Sequence, residues 1–191
     1  YSQLYDRARL IAGSLRSMGL VPGSKLVLQL TDNKAYIEAF WGCMLAGIVP
    51  APLAVLDDYG TTNLNTDKLQ NICRLLENPF ILTSEGLRPA IEKLYGAVIC
   101  FEDLEGGEPI AESDMYDWGW EETTLLLFTS GSTGLPKGVM LTQKNIFART
   151  LGEIALYGFD KTLVDVNWMT LTHAAGLVWT NVRDIYLDCF Q

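Results

Sequence analysis

The chain has 191 residues, 49% of them hydrophobic and 10% aromatic, enough for one well-buried core. Fourteen Lys and Arg against 23 Asp and Glu give a net charge of -9, so the long-range field repels polyanions. Nucleic acid is thereby excluded as a partner, and a phosphate-rich ligand must be held by local donors.

Cys43, Cys73, Cys100 and Cys189 lie far apart, with no C-x-x-C pair and none near the lone His173. That spacing speaks against a disulfide framework or a zinc site and for a reducing, cytoplasmic setting. The opening Tyr1-Ser2-Gln3-Leu4-Tyr5-Asp6 is polar and helical, unlike the basic and then apolar start of a secretory leader.

Leu4, Ala8, Ile11, Leu15 and Met18 recur at three- and four-residue spacing and predict a helix that Gly19 can end. After the turn at Pro22-Gly23, Lys25 to Leu30 reads as a strand. Thr31-Asp32-Asn33 then offers caps to a helix running through Tyr36, Phe40 and Met44 to Gly47, and Ile48-Val49 opens the next strand. The uncharged run from Ala39 to Leu56 is as long as a minimal membrane span, but Gly47, Pro50 and Pro52 interrupt it. Proline donates no hydrogen bond to a helical ladder, so a buried helix turning into a short strand is the expected structure, with no membrane contact.

A helix from about Leu69 to Leu76, stopped at Asn78-Pro79, precedes the strand Phe80-Ile81-Leu82. Another helix near Ile91 precedes the strand Val98 to Phe101. This alternation predicts an α/β fold: a layered, mostly parallel sheet flanked by helices, with ligands at the carboxyl ends of the strands. From Glu102 to Glu122 every charged residue is acidic, and Gly106-Gly107, Pro109 and Ser113 punctuate the run. A solvated connector between two layers is expected there, with an interaction surface as the alternative.

The short apolar strand Thr124 to Phe128 delivers the run Thr129-Ser130-Gly131-Ser132-Thr133-Gly134-Leu135-Pro136-Lys137-Gly138. Small hydroxyl residues alternating with glycine let backbone N–H groups and side-chain O–H groups replace the water around an anion, and Lys137 adds a cation. Lys137 is followed by Gly138 and Val139, so this is not a Walker A loop, which needs Ser or Thr there. Glycine, serine and threonine also cluster in loops that bind nothing, but such loops do not ordinarily follow a buried strand and close on Lys-Gly. The strand Val139-Met140-Leu141 leads on to Thr142, a cap for a helix carrying Ile146, Leu151 and Ile154.

The run from Phe128 to Val139 resembles the phosphate loop of the adenylate-forming superfamily of acyl-CoA ligases, luciferases and peptide-synthetase adenylation domains. Tyr36 to Pro50 looks like that family's first helix-to-strand segment, and Asn167 to Leu177 is similar to its segment lining the acyl pocket. Together with Arg183 to Leu187, the latter looks closest to adenylation domains of polyketide and peptide synthetase assembly lines. The resemblance implies an ATP-dependent ligase that turns a carboxylic acid into an acyl-adenylate and pyrophosphate. It further implies Mg²⁺, and a carrier-protein phosphopantetheine or CoA thiol as acceptor.

On that reading Thr129, Ser130, Gly131, Ser132, Thr133, Gly134, Lys137 and Gly138 hold the phosphates, and the loop is expected to be mobile until nucleotide arrives. His173, Ala174 and Gly176 belong to the substrate pocket. By spacing alone His173 is equally a packed core histidine; the family context makes it a pocket residue that shapes rather than catalyses. Amino-acid-activating relatives place an aspartate where Ala174 stands, and a buried ammonium without a partner is costly, so an aryl, fatty, hydroxy or keto acid is expected.

The resemblance divides the chain into a first βα layer over 1–101, an acidic connector over 102–122, and the phosphate loop with the start of the acyl-pocket layer over 123–191. The whole is expected to be an incomplete N-terminal large domain. The adenine segment, the acidic magnesium ligand, the ribose aspartate and the lid lysine fall beyond it. No catalytic residue and no metal ligand is therefore expected within the chain, which alone should be inactive. The alternatives are a remnant adenylation domain kept for a structural or interaction role in a megasynthase, and an unrelated nucleotide-binding regulatory domain.

Overall fold

The alternation of helices and short apolar strands produces the layered α/β architecture, seen here in a computed structural model that describes residues 1–129 and 136–191. α1 (Ser2–Ser17) buries Ala8, Ile11, Ala12 and Leu15, one stripe of the helical repeat. The helix stops just short of Gly19, whose φ of +92° suits glycine alone. β1 (Lys25–Gln29) follows, and the Asp32 side chain caps α2 (Asn33–Ala46) by accepting from the Ala35 N–H at 2.8 Å. α2 ends at Gly47 in the left-handed conformation.

β2 (Val49–Pro52) shows why two prolines are tolerated in a strand. Val49 N–H donates to Ser24 and Leu53 N–H to Leu28, so the odd-numbered residues face β1, and Pro50 and Pro52 occupy positions with no partner strand to serve. α3 (Leu64–Leu75), β3 (Phe80–Thr83), α4 (Arg88–Leu94) and β4 (Val98–Cys100) complete a four-stranded parallel sheet in the order β2-β1-β3-β4. Leu26 and Leu28 face a core shared with α1 and α2, whereas Val27 faces Leu69, Ile72 and Ile91 of α3 and α4. Helices thus cover both faces, as parallel strands require.

The acidic segment is more than a solvated connector. Its acidic residues are all exposed, yet Leu104 and Ile110 are buried and its backbone is tied to the first two helices. Ser14 Oγ donates to the Leu104 carbonyl at 2.7 Å, Arg9 Nε to that of Ile110 at 3.0 Å, and Trp118 Nε1 to that of Met44 at 2.8 Å. Charge dominated the composition here, while Leu104, Ile110 and Trp118 decided the packing.

β5 (Thr123–Thr129) and β6 (Lys137–Thr142) form an antiparallel hairpin apart from the parallel sheet. β5 runs beside β2 and sends Leu125 and Leu127 into one core and Leu126 into the other. Thr142 opens α5 (Gln143–Tyr157) with a reciprocal capping box to Asn145. Of the apolar residues this helix carries, Ile146 is buried, together with Thr150 one turn on, while Leu151 is 45% exposed. A π-helical segment (Ala175–Val182) runs into α6 (Arg183–Leu187) and closes the described chain against α5. Among the described residues no helix is long and apolar enough to cross a membrane.

Candidate functional site

The hairpin register carries through Phe128 opposite Gly138 and Thr129 opposite Lys137. The expected exposed loop over Thr129 to Gly138 is therefore narrower than the sequence suggests, because its first residue and its last two belong to strands. Ser130, Gly131, Ser132, Thr133 and Gly134, and with them the expectation of mobility, lie outside the described residues. Gly138 faces the Phe128 ring, which a Cβ would meet at 3.2 Å.

A cavity of about 380 Å³ opens at the carboxyl end of β5. Its floor is apolar, formed by Leu127, Val139, Leu141 and Val178, and its polar rim comprises Thr129, Asn145, Arg149, Thr172 and His173. The chain thus brings three of the sequence-predicted residues, Thr129, His173 and Ala174, around one space. This is the arrangement expected of a ligand pocket, an apolar body with a few placed polar groups.

His173 stands at the entrance to the π-helical segment. The Ala175 N–H donates to His173 Nδ1 at 3.2 Å, which makes Nδ1 the acceptor and leaves Nε2 to carry the ring proton. The histidine is solvent-exposed and is not the packed core residue its spacing also allowed. π-helical turns are uncommon and gather at functional sites; here one begins immediately after Ala174.

Gly176 does not line the cavity. A Cβ there would stand 2.4 Å from the Thr170 carbonyl oxygen and 2.7 Å from that of Met169, so glycine lets the helical segment rest directly on the preceding turn. The Asn167 Nδ2 group donates to the Gly176 carbonyl at 2.9 Å and ties the same turn, while Trp168 is 84% exposed. Because the obstructing atoms are backbone, Gly176→Ala should lower stability by about 3 kcal/mol, the upper range for overpacking. Thermal unfolding of the two proteins measures this; an unchanged midpoint would show that the turn yields freely.

Arg149, Asn145 and Trp179 were not singled out from sequence. The signal was present in part, since Asn145 and Arg149 are one helical turn apart beyond the Thr142 cap. The Arg149 guanidinium lies 4.6 Å from the Trp179 ring centroid and its Nη1 is 2.9 Å from Glu153 Oε2. Among the described residues around the cavity there is no Asp or Glu, and Arg149 is the one fixed charge.

Comparison with known proteins gives the class to which this fold belongs. The chain belongs to the AMP-binding enzyme family, which matches residues 1–182, and so to the adenylate-forming superfamily. It is 31% identical over 194 residues to the nonribosomal peptide synthetase ucdA of Aspergillus ustus, a match covering 96% of this chain and 20% of that protein. The structure of McyG A-PCP complexed with phenylalanyl-adenylate superposes with a TM-score of 0.94 at 37% identity, covering all of this chain and 31% of the other. The adenylation domain of a keto acid-selecting peptide-synthetase module, bound to keto acyl adenylate, gives 0.93 at 28% identity over all of this chain and 35% of the other. The chain thus spans about a fifth of the curated relative and about a third of each solved structure.

Proposed function

We propose that the whole protein carrying this chain is an ATP-dependent ligase that activates a carboxylic acid without an α-amine as its acyl-adenylate. The single observation that carries this is the meeting of Thr129, the threshold of the glycine-rich run, with His173 and Ala174 around one cavity. Residues 1–101 act as the supporting layer, 102–122 as a strap, and 123–191 as the phosphate loop and first wall of the acid pocket.

Thr129, Ser130, Gly131, Ser132, Thr133, Gly134, Lys137 and Gly138 present backbone N–H groups, hydroxyls and one ammonium to the β- and γ-phosphates of ATP. His173 Nε2–H faces the acid as a neutral donor and orients it. A carboxylate ionised at neutral pH needs no protein base, so the chain's work is to position the acid and exclude water. Ala174 supplies space without charge. The acceptor is a carrier-protein phosphopantetheine or CoA thiol, and the four buried, unpaired cysteines suit a reducing cytoplasm.

Mg²⁺ is the metal the family implies. Among the described residues no three His, Cys, Asp or Glu side chains converge, and the donors here suit anionic oxygens rather than the cation, so no step is assigned to it.

ATP–pyrophosphate exchange by the whole protein, with an amino acid compared against its hydroxy and keto analogues, tests the reading. Exchange is expected with the analogues and weak or absent with the amine, since an ammonium placed beside Ala174 loses its hydration for no partner. Preference for the amino acid would refute the substrate class. Failure of every acid would instead favour a catalytically inactive domain with a structural role.

A further inference from the structure

The pocket's charge is unbalanced in a way that its family membership does not dictate. Arg149 is the one Asp, Glu, Lys or Arg among its described lining residues, and its carboxylate partner Glu153, outside the lining, is bonded to Nη1 at 2.9 Å. Glu153 is itself committed elsewhere, with Oε1 3.6 Å from Arg183 Nη1. Trp179 covers one face of Arg149 at 4.6 Å. The guanidinium is therefore held by a carboxylate and a ring, using one of its five N–H donors. The remaining donors belong to a planar fork matched to paired or carbonyl oxygens.

We propose that Arg149 is a specificity-determining residue that grips a second oxygen acceptor on the acid, beyond the carboxylate that becomes adenylated. This rests on the reading of the cavity as the acid pocket. Three residues set the chemistry of the rim. Ala174 offers no charge, His173 offers a donor through Nε2–H, and Arg149 offers several more, so the described rim residues supply donors and no carboxylate. An ammonium meets a like charge there, and an unadorned alkyl acid leaves the guanidinium donors without a partner on the pocket side. A keto acid or a dicarboxylic acid satisfies them. Arg149 is thus a second reason, independent of Ala174, for rejecting amino acids, and it narrows the accepted class to acids with an additional accepting oxygen.

The test uses the whole protein, wild type and with Arg149→Met or Arg149→Lys, and three acids of one carbon skeleton: the keto acid, the dicarboxylic acid and the plain acid. Calorimetric binding of each acid is measured beside ATP–pyrophosphate exchange, with circular dichroism confirming the fold. Arg149→Met is expected to lower kcat/KM and affinity for one oxygen-bearing acid roughly ten- to a hundredfold more than for the plain acid, with the KM for ATP unmoved. Arg149→Lys, which keeps the charge and loses the fork, should restore part of that difference. Which oxygen-bearing acid responds tells a keto oxygen from a second carboxylate.

An equal loss with all three acids would make Arg149 structural, and a raised KM for ATP would make it a phosphate contact; either overturns the proposal. Should the wild type bind an oxygen-bearing acid through Arg149 yet exchange nothing, the ligase reading falls and the assignment of Arg149 stands. Binding of no acid at all sinks both. If neither variant folds, wild-type preference among the three acids decides, and a preference for the plain acid overturns the proposal.

Discussion

Replacing Gly134 by valine in the whole protein is expected to abolish ATP–pyrophosphate exchange, whereas Lys137→Ala should leave a weakened enzyme. The hairpin pairs Thr129 with Lys137, so both residues flanking the glycine-rich run belong to strands. Within such a run, phosphate is bound by main-chain N–H groups that must approach to hydrogen-bond distance, and a β-branched side chain obstructs the approach and restricts the backbone at once. Lys137, exposed at the first position of β6, would on this reading give phosphate one charge-assisted contact. Its loss should cost about 1.5–3 kcal/mol, equivalent to roughly ten- to a hundredfold in kcat/KM. Exchange rates and ATP affinity for both variants decide the matter, with circular dichroism as the folding control. A folded Gly134→Val protein that uses ATP normally would show that phosphate binds elsewhere.

The strands and helices of the first hundred residues were legible because each carried redundant signals. α2 has its cap at Asp32, its apolar repeat, and Gly47 to end it, and the structure uses all three. The site was legible only where residue type announced chemistry, as at Thr129 and His173. Arg149 was silent because an arginine on a helix usually faces water, and its meaning depends on Trp179, thirty residues away in sequence. Gly176, placed in the substrate pocket by the resemblance, instead makes room for the backbone of Met169 and Thr170. The acidic strap likewise hid its function in a few apolar residues among many charges. For Arg149 and the strap the missing information was a contact between distant segments, which no local pattern encodes.

Replacing Arg183 by methionine should cost about 3–5 kcal/mol of stability near neutral pH. It lies 95% buried on α6 and donates to Asp184 at 2.8 Å through Nε; it also pairs with Asp165 and lies 3.6 Å from Glu153. Its guanidinium sits 5.0 Å from the centroid of the Phe159 ring. Removing it leaves three carboxylates around an apolar side chain. Asp184 suffers most, because it is wholly buried and its Oδ2 has no hydrogen-bond partner even with Arg183 present. Burial is the main cause that holds the Asp184 carboxyl above its ordinary value, and Arg183 pulls in the opposite direction. A carboxyl raised in the folded state binds more protons folded than unfolded. Its contribution is therefore best at low pH and is lost as pH rises from the ordinary carboxylate range through the raised folded value. Without Arg183 the opposing pull is gone, so the window stretches to higher pH. Urea unfolding at about pH 5 and about pH 8 should then show a larger deficit for Arg183→Met at the higher pH, and Asp184→Asn added to it should recover part of the loss. A deficit independent of pH would locate the cost in lost packing against Phe159 and not in the stranded carboxylates.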